Sequence, residues 1–274
     1  MVERRMLEKV NLDQKLAHAD YKRLLPPLQR RLYDLEKACW DHRIPSVVVF
    51  EGWDASGKGS AIATLTERLD PRGFKLHPIR PPRAYEKQRP WLWRFWLKLP
   101  AYGEMAIFDQ SWYGRVLGER VEGLVKKREW RQAYQDILDF ERMLADDGAV
   151  IVKFWFHISK REQKKRFKAL EKDPLESWRV TPEDWERHRN YDAYLEAAEE
   201  MLARTESEWA PWTIIEATDR CFARKKVFDT LIAALTRRLG PLAPGEESSP
   251  EAERKDRLLR QAVEEAELAV AGGS

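Results

Sequence analysis

Residues 46–60 have the sequence SVVVFEGWDASGKGS, which is the most informative local pattern in the chain. Its first part, 46–51, is mostly apolar and β-branched, which is typical of a strand buried in a parallel sheet. The pattern G-x-x-x-x-G-K follows from Gly52, and a helical pattern begins at the lysine. A strand, a glycine-rich loop and a helix in this order predict a phosphate-binding loop (P-loop), because backbone N–H groups and the positive end of the helix face one anion.

Two side chains of this loop bear on its chemistry. Lys58 supplies a cation that can follow the charge on a moving phosphoryl group. Asp54 would repel phosphates unless a divalent cation lies between them, so we expect Mg²⁺ as cofactor, with Mn²⁺ as an alternative ion. The usual Ser or Thr after the lysine is Gly59 here, and Ser60 comes one position later. The predicted phosphate-binding residues of the loop are Gly52, Ala55, Ser56, Gly57, Gly59 and Ser60.

A second motif, IFDQSWYGR at 107–115, ends another apolar stretch. An Asp at the carboxyl end of a buried strand can hold Mg²⁺, so we predict Asp109 as the second metal ligand beside Asp54. Arg115 and Arg120 are candidates to hold phosphates, and Gln110 could donate a hydrogen bond to the same ligand. A surface ion pair is the alternative for Arg115. The predicted catalytic residues are Asp54, Lys58, Asp109 and Arg115.

A basic helix is predicted after the strongest strand pattern. Residues 153–172 contain eight Lys and Arg against two Glu, although the net charge of the whole chain is only +3. Such a segment favours a polyanionic ligand, and a solvated helix face is the alternative. In phosphotransfer enzymes a mobile segment often closes over the donor and excludes water. We therefore predict a lid at about 160–190, with Arg166, Lys172 and Arg179 as its phosphate-binding residues.

Short apolar stretches alternate with longer helical patterns, and this alternation predicts an α/β fold with a parallel sheet. The predicted strands are 46–51, 74–79, 105–108, 150–156 and 213–216. The predicted helices are 26–40, 129–145, 160–171, 181–204 and 222–239. A cluster of Gly and Pro at 240–245 separates a predicted phosphotransferase domain, 1–240, from a linker and a charged C-terminal helix, 241–274.

The composition excludes several classes of protein. The chain has 274 residues, of which 43% are hydrophobic and 35% charged, so it is neither disordered nor membrane-spanning in character. Its two cysteines, Cys39 and Cys221, exclude a disulfide framework and favour a reducing cytoplasm. Trp91, Trp93 and Trp96 have the spacing of a packed helix face, so we interpret them as core residues rather than as base-stacking ones. We expect a cytoplasmic protein with no membrane and no nucleic-acid partner.

Six stretches together resemble the polyphosphate kinase 2 family, in the family's order and spacing. They are GWDASGKGSAI (52–62), LWRFW (92–96), FDQSWYGRVLGERVEG (108–123), KFW (153–155), KDPLESWRVTPEDW (172–185) and APWTIIEATD (210–219). They look most similar to the AMP-phosphorylating class II of that family. The resemblance implies a three-layer P-loop kinase fold, similar to thymidylate kinase, with about five parallel strands and a helical lid. It also implies inorganic polyphosphate and an adenine nucleotide as substrates, and a homo-oligomer, either a dimer or a tetramer.

The implied reaction is Mg²⁺-dependent transfer of the terminal phosphoryl group of polyphosphate to AMP, giving ADP, with ADP to ATP as a further reaction. We expect direct in-line transfer, because an ionised nucleotide phosphate needs cations and alignment rather than a strong base. Gln110 stands where the family has Arg, and Arg83 is a candidate to replace that charge. Two alternatives stay open: an ATP-dependent nucleotide kinase of thymidylate-kinase type, and a degenerate polyanion-binding domain without catalysis.

Overall fold

The computed structural model describes residues 6–240 of the chain. At its centre lies a five-stranded sheet with the strand order β2-β3-β1-β4-β5, and every strand pairs in parallel with its neighbours. The strands are β1 (Ser46–Gly52), β2 (Phe74–Pro78), β3 (Met105–Asp109), β4 (Val150–His157) and β5 (Trp212–Glu216). Each predicted strand is present, with ends that differ from the prediction by one residue or less. The predicted α/β fold with a parallel sheet is therefore confirmed.

Helices connect the strands and cover the sheet. Those in the described part of the chain are α1 (His18–Asp41), α2 (Lys58–Thr66), α3 (Ala84–Lys87), α4 (Trp93–Trp96), α5 (Gly118–Val121), α6 (Lys127–Asp146), α7 (Lys160–Lys172), α8 (Pro182–Arg189), α9 (Tyr191–Thr205) and α10 (Arg220–Leu239). Short 3₁₀ helices lie at Leu7–Lys9, Trp112–Arg115 and Ser177–Arg179. Within residues 6–240, none of the helices has the length and apolar character needed to cross a membrane.

Two helix predictions were wrong in their bounds. Helix α1 begins at His18 rather than at residue 26 and continues through Pro26 and Pro27. It tolerates these prolines because buried residues pack on both sides of them, including Tyr21 before and Leu32 after. The helix predicted at 181–204 is divided into α8 and α9 at Asn190, whose backbone is not helical. The predicted linker and C-terminal helix at 241–274 lie outside the described residues, so the division into domains stays a prediction.

The pairing of β1 places the P-loop beside the second motif. Strand β1 lies between β3 and β4, and Phe50 is opposite Asp109 in the register with β3. At the end of β1, Gly52 has a φ of 130°, and a Cβ there would lie 2.3 Å from the carbonyl oxygen of Phe156. Only glycine fits this approach, so the P-loop begins in contact with β4. Both motifs therefore end at the same edge of the sheet.

A buried ion pair fixes the segment that follows β3. Lys153, in the middle of β4, donates to Glu141 at 2.8 Å, to the Tyr113 hydroxyl at 2.8 Å and to the carbonyl oxygen of Thr205 at 2.9 Å. The side chains of Lys153 and Glu141 are both fully buried. All three N–H donors of the ammonium group are used, so this buried charge is satisfied. The network ties the 3₁₀ helix Trp112–Arg115 to β4, α6 and the end of α9.

Candidate active site

The loop between β1 and α2 has the backbone of an anion-binding turn. Gly57, directly before α2, has a φ of 104°, and Ala55 has a φ of 57°. These left-handed residues curl the chain so that N–H groups converge at the start of α2, where the positive end of the helix dipole also lies. Lys58 is buried and donates to the carbonyl oxygens of Gly52 at 2.8 Å and Trp53 at 2.9 Å. Its ammonium group is thus held over the loop, with a third N–H donor left for a ligand.

An aromatic stack anchors this loop from behind. The ring of Trp53 lies parallel to that of Tyr191, with 3.9 Å between their centroids. The Trp53 indole N–H donates to Nδ1 of His157 at 3.0 Å. Burial lowers the pKa of His157 to about 4, so the imidazole is neutral and accepts this bond at physiological pH. The packing leaves the P-loop with a fixed path between β4 and the start of α9.

The P-loop forms one wall of a cavity of about 390 Å³. The cavity is lined by Asp54, Ala55, Ser56, Gly57, Lys58, Gly59, Ser60, Pro78, Ile79, Arg80, Asp109, Gln110, Leu170, Arg179 and Arg220. Ten of these fifteen residues are among the predicted site residues. The Ser56 hydroxyl is buried and has no hydrogen-bond partner among the residues that the structure describes. A buried hydroxyl without a partner at a cavity wall is an available donor for an anionic ligand.

The two predicted metal ligands line this same cavity. The carboxylates of Asp54 and Asp109, together with the Ser60 hydroxyl, present the hard oxygen ligands that Mg²⁺ prefers. Within residues 6–240 no cluster of three or more His, Cys, Asp or Glu side chains forms a metal cage. Mg²⁺ in phosphotransfer sites is commonly bound by one or two carboxylates plus substrate phosphates and water. The residues present therefore fit the predicted ion.

Arg166 occupies a different place from the one predicted. It is buried and donates to the carbonyl oxygens of Ala55, Ser56, Ala217 and Thr218 at 2.7–3.1 Å. Its Nε donates to Glu162 at 2.9 Å. A guanidinium group has five N–H donors, and all five are used here. Arg166 therefore fastens the P-loop to the segment after β5 instead of presenting a free charge to phosphates.

Four more predicted phosphate ligands do not line the cavity: Gly52 at the start of the loop and three basic side chains. Arg115 pairs with Glu119 at 2.8 Å, and its guanidinium lies 5.1 Å from the ring centroid of Trp91. Arg120 pairs with Glu200 at 2.7 Å. Lys172 lies with other lysines and an arginine on the outer face of α7. Arg83, the candidate to replace the charge absent at Gln110, also lies outside the cavity lining.

Sequence reasoning missed two arginines that do line the cavity. Arg80 follows β2 by two residues, and Arg220 begins α10 a few residues after β5. Neither guanidinium makes an ion pair with another side chain in the part of the chain that the structure describes. Their positions a few residues after a predicted strand indicated them, because the carboxyl ends of parallel strands meet at one edge of the sheet and ligands bind there. With Lys58 and Arg179, these residues give the cavity four cationic side chains against two carboxylates, and Arg179 also pairs with Glu176.

Comparison with known proteins agrees with this geometry. Residues 15–240 match the family model of polyphosphate kinase 2. The chain belongs to the polyphosphate kinase 2 family. It is similar to the crystal structure of polyphosphate kinase 2 from Arthrobacter aurescens TC1, with a TM-score of 0.82, 30% identity and 91% of each chain covered.

Two curated relatives extend the comparison. The chain is 44% identical over 234 residues to the polyphosphate:AMP phosphotransferase of Pseudomonas aeruginosa, covering 85% of this chain and 47% of that protein. It is 41% identical over 217 residues to ADP-polyphosphate phosphotransferase 2 of Rhizobium meliloti, covering 79% of this chain and 71% of that protein. The chain thus spans about half the length of the polyphosphate:AMP phosphotransferases it matches.

Glu51 links the two motifs in this member of the polyphosphate kinase 2 family. It lies at the end of β1, fully buried, and accepts a hydrogen bond from the Ser111 hydroxyl at 2.8 Å. Burial raises the pKa of Glu51 to about 7, although Ser111 and the charge of Lys58 lower it. The carboxyl holds the segment after Asp109 against β1, so the two motifs keep their relative position.

The raised pKa of Glu51 predicts a pH-dependent stability. Its ordinary pKa is 4.5, so between this value and about 7 the folded state binds more protons than the unfolded state. The free energy of unfolding therefore falls as the pH rises through this window. We therefore compare the free energy of unfolding of Glu51→Gln with that of the wild type. The difference in favour of the variant should grow by about 3 kcal/mol between pH 4.5 and pH 8, at about 1.4 kcal/mol per pKa unit. Urea unfolding at several pH values measures this difference, and a difference independent of pH contradicts the assignment.

Proposed function

We propose that this chain transfers the terminal phosphoryl group of inorganic polyphosphate to AMP, giving ADP, with ADP to ATP as a further reaction. The carrying observation is the cavity where the P-loop, two carboxylates and two arginines meet, Arg80 and Arg220, which form no ion pair within residues 6–240. A cavity lined by four cationic side chains, Lys58, Arg80, Arg179 and Arg220, suits a long polyanion. The family match supports polyphosphate as the donor. The relatives are named for AMP and for ADP, which supports an adenine nucleotide as the partner substrate.

The proposed reaction is an in-line displacement at phosphorus. A phosphate oxygen of AMP forms a bond to the terminal phosphorus of the polyphosphate chain. The bond from that phosphorus to the bridging oxygen breaks, and its electron pair stays on the shortened chain. The attacking oxygen is already ionised at neutral pH, and the bridging oxygen leaves as an anion on the shortened chain, so the site needs no strong base. This requirement agrees with a cavity lined by cations and carboxylates and without His or Cys.

Each side chain of the cavity then has a role in binding or charge stabilisation. Lys58 donates its remaining N–H to the transferred phosphoryl group. Asp54 and Asp109 would hold Mg²⁺, which when bound neutralises the charge of the facing phosphates. Arg80 and Arg220 would bind phosphates further along the donor chain. Together these groups bring two anions into contact, which is the main barrier to the reaction.

Replacing Arg220 tests its part in the proposed function. We expect Arg220→Ala to raise the KM for polyphosphate about 10- to 100-fold, because a hydrogen bond to a charged group contributes about 1.5–3 kcal/mol. The assay is ADP formation from AMP with polyphosphate as the sole donor. Arg68→Ala, which changes an exposed arginine outside the cavity lining, is the matched control. An unchanged KM in Arg220→Ala would exclude Arg220 from donor binding.

Two further predictions concern the setting of the reaction. We propose that the chain works in the cytoplasm and assembles as a homo-oligomer, a dimer or a tetramer. The absence of disulfide-forming cysteine pairs among the described residues supports the first proposal. The family match is the ground for the second, and an interface between copies would cover exposed apolar side chains such as Leu76 and Leu97.

A further inference from the structure

Arg187 of α8 reaches across the site to the P-loop. Its Nε donates to Oδ2 of Asp54 at 2.9 Å, and its Nη2 donates to Oδ1 of Asp184 at 2.7 Å. Its Nη1 lies 3.7 Å from Oε1 of Glu122. Arg187 is 34% exposed and Asp54 25%. One guanidinium thus connects the predicted lid region, the P-loop and the segment after β3.

Asp54 is held by its backbone as well as by its carboxylate. The Gln163 side-chain amide donates to the backbone carbonyl oxygen of Asp54 at 3.2 Å. The Gln163 carbonyl oxygen lies 2.7 Å from Nδ1 of His188, the residue after Arg187. Both Gln163 and His188 are buried. Helices α7 and α8 therefore restrain one P-loop residue from two directions.

Asp184 fixes the orientation of the Arg187 side chain. Asp184 accepts hydrogen bonds from the backbone N–H and the hydroxyl of Thr181 at the start of α8. This capping box fixes the Asp184 carboxylate, which in turn fixes the plane of the Arg187 guanidinium. A guanidinium that donates in two directions at once holds a carboxylate in one rotation.

The contact uses only one oxygen of the Asp54 carboxylate. Oδ2 accepts from Arg187, whereas Oδ1 has no hydrogen-bond partner in the described residues. Carboxylates that ligate metals are typically oriented by such an outer hydrogen bond, and its loss lowers metal affinity or activity about 10- to 100-fold. We propose that Arg187 is a positioning residue that orients Asp54 for the divalent cation and so couples α8 to the metal site. This inference rests on the proposed function, in which Asp54 holds that cation.

The positive charge of Arg187, taken alone, would lower the affinity of the site for a divalent cation, whereas its positioning of Asp54 would raise that affinity. A cation near the site repels a divalent ion, so a merely electrostatic neighbour would weaken metal binding, and its removal would strengthen it. Asp184 and Glu122 offset this charge, because both carboxylates lie within 4 Å of the guanidinium. The sign of the change in metal affinity therefore separates positioning from simple repulsion.

The experiment measures Mn²⁺ binding without turnover, by the electron paramagnetic resonance signal of the free ion. Mn²⁺ alone is titrated into the wild type and into Arg187→Gln, Arg187→Lys and Asp54→Asn. We expect Arg187→Gln to weaken binding about tenfold or more, and Asp54→Asn to weaken it at least as much. Arg187→Lys should keep little of the wild-type Mn²⁺ affinity, because an ammonium group cannot reproduce the planar guanidinium that donates to Asp54 and Asp184 together. Arg189→Gln, on the same helix and exposed, is the matched control.

Activity provides a second and independent readout. In Arg187→Gln the Mg²⁺ concentration for half-maximal activity should rise about tenfold, while kcat recovers at saturating Mg²⁺. Equal or tighter Mn²⁺ binding in Arg187→Gln would overturn the inference. It would also be overturned if the wild type bound no Mn²⁺, or if Asp54→Asn bound Mn²⁺ as tightly as the wild type. If the wild type binds Mn²⁺ as expected but transfers no phosphoryl group, the proposed function fails while the positioning of Asp54 by Arg187 stands.

Discussion

Replacing Lys58 with Met should lower kcat for polyphosphate-dependent ADP formation about 10³-fold. The side chain is 9% exposed and held by two backbone carbonyl oxygens, so its charge is placed before any ligand binds. Methionine has a similar volume but no charge and no donor. The variant therefore loses the cation that stabilises the transferred group, while the P-loop keeps its glycines and its backbone path.

The Lys58 prediction needs a check of folding. Methionine removes the Lys58 donor from the carbonyl oxygens of Gly52 and Trp53. The Trp53 oxygen still accepts from the Ser56 N–H at 3.2 Å, so the main loss is at Gly52, where an unpaired buried carbonyl costs about 1–3 kcal/mol of unfolding free energy. Urea unfolding shows whether the variant is folded at the assay temperature. Lys165→Met, on the exposed face of α7, is the matched control and should keep its activity. A folded Lys58→Met enzyme with less than a tenfold loss of kcat would contradict the role given to Lys58.

Replacing Asp109 with Asn should lower activity about 10²-fold or more, because a bound metal ion stabilises the reacting phosphates by several kcal/mol. The Asp109 carboxylate makes no hydrogen bond or ion pair with the other described residues, although it lines the cavity. A carboxylate without a protein partner at a phosphate site is explained by a cation that binds there. The assay is initial velocity against Mg²⁺ concentration.

The Asp109 variant should not lose stability. Burial is the main cause of the raised pKa of Glu51, and the negative charge of Asp109 adds to it. Removing that charge makes the folded state slightly more favourable, so the free energy of unfolding should stay constant or rise. Asp192→Asn, at a side chain 81% exposed in a surface pair, is the control for the loss of one carboxylate. Full activity in Asp109→Asn at low Mg²⁺ would remove Asp109 from the metal site.

The sheet and the P-loop could be predicted because local sequence determines them. The strands are short apolar stretches, and the glycines of the loop mark backbone angles or approaches that other residues avoid, as at Gly52. Asp109 is predictable as a site residue because it ends an apolar strand pattern. The structure places it opposite Phe50 in the register of β1 and β3. In each case the signal lies within a few residues of the position predicted.

The roles of the arginines depend on contacts between distant segments. Arg166 and Arg187 belong to helices rich in Lys and Arg, and helix periodicity does not indicate which of them turn inward. The partners of Arg166 are carbonyl oxygens from two other loops, up to 111 residues away in the chain. Backbone carbonyl groups have no sequence signature, so a buried arginine that binds them looks like any other basic residue.

Exchanging the phosphoryl donor shows whether this protein uses polyphosphate rather than ATP. The purified protein with Mg²⁺ and AMP receives either polyphosphate or ATP, and the nucleotides are separated by chromatography. We predict that ADP forms with polyphosphate in the absence of ATP, and that Lys58→Met forms almost none. ADP formed only with ATP would exclude polyphosphate as the donor and indicate a conventional nucleotide kinase. Binding of polyphosphate without any turnover would contradict the proposed function as well and indicate a degenerate polyanion-binding domain.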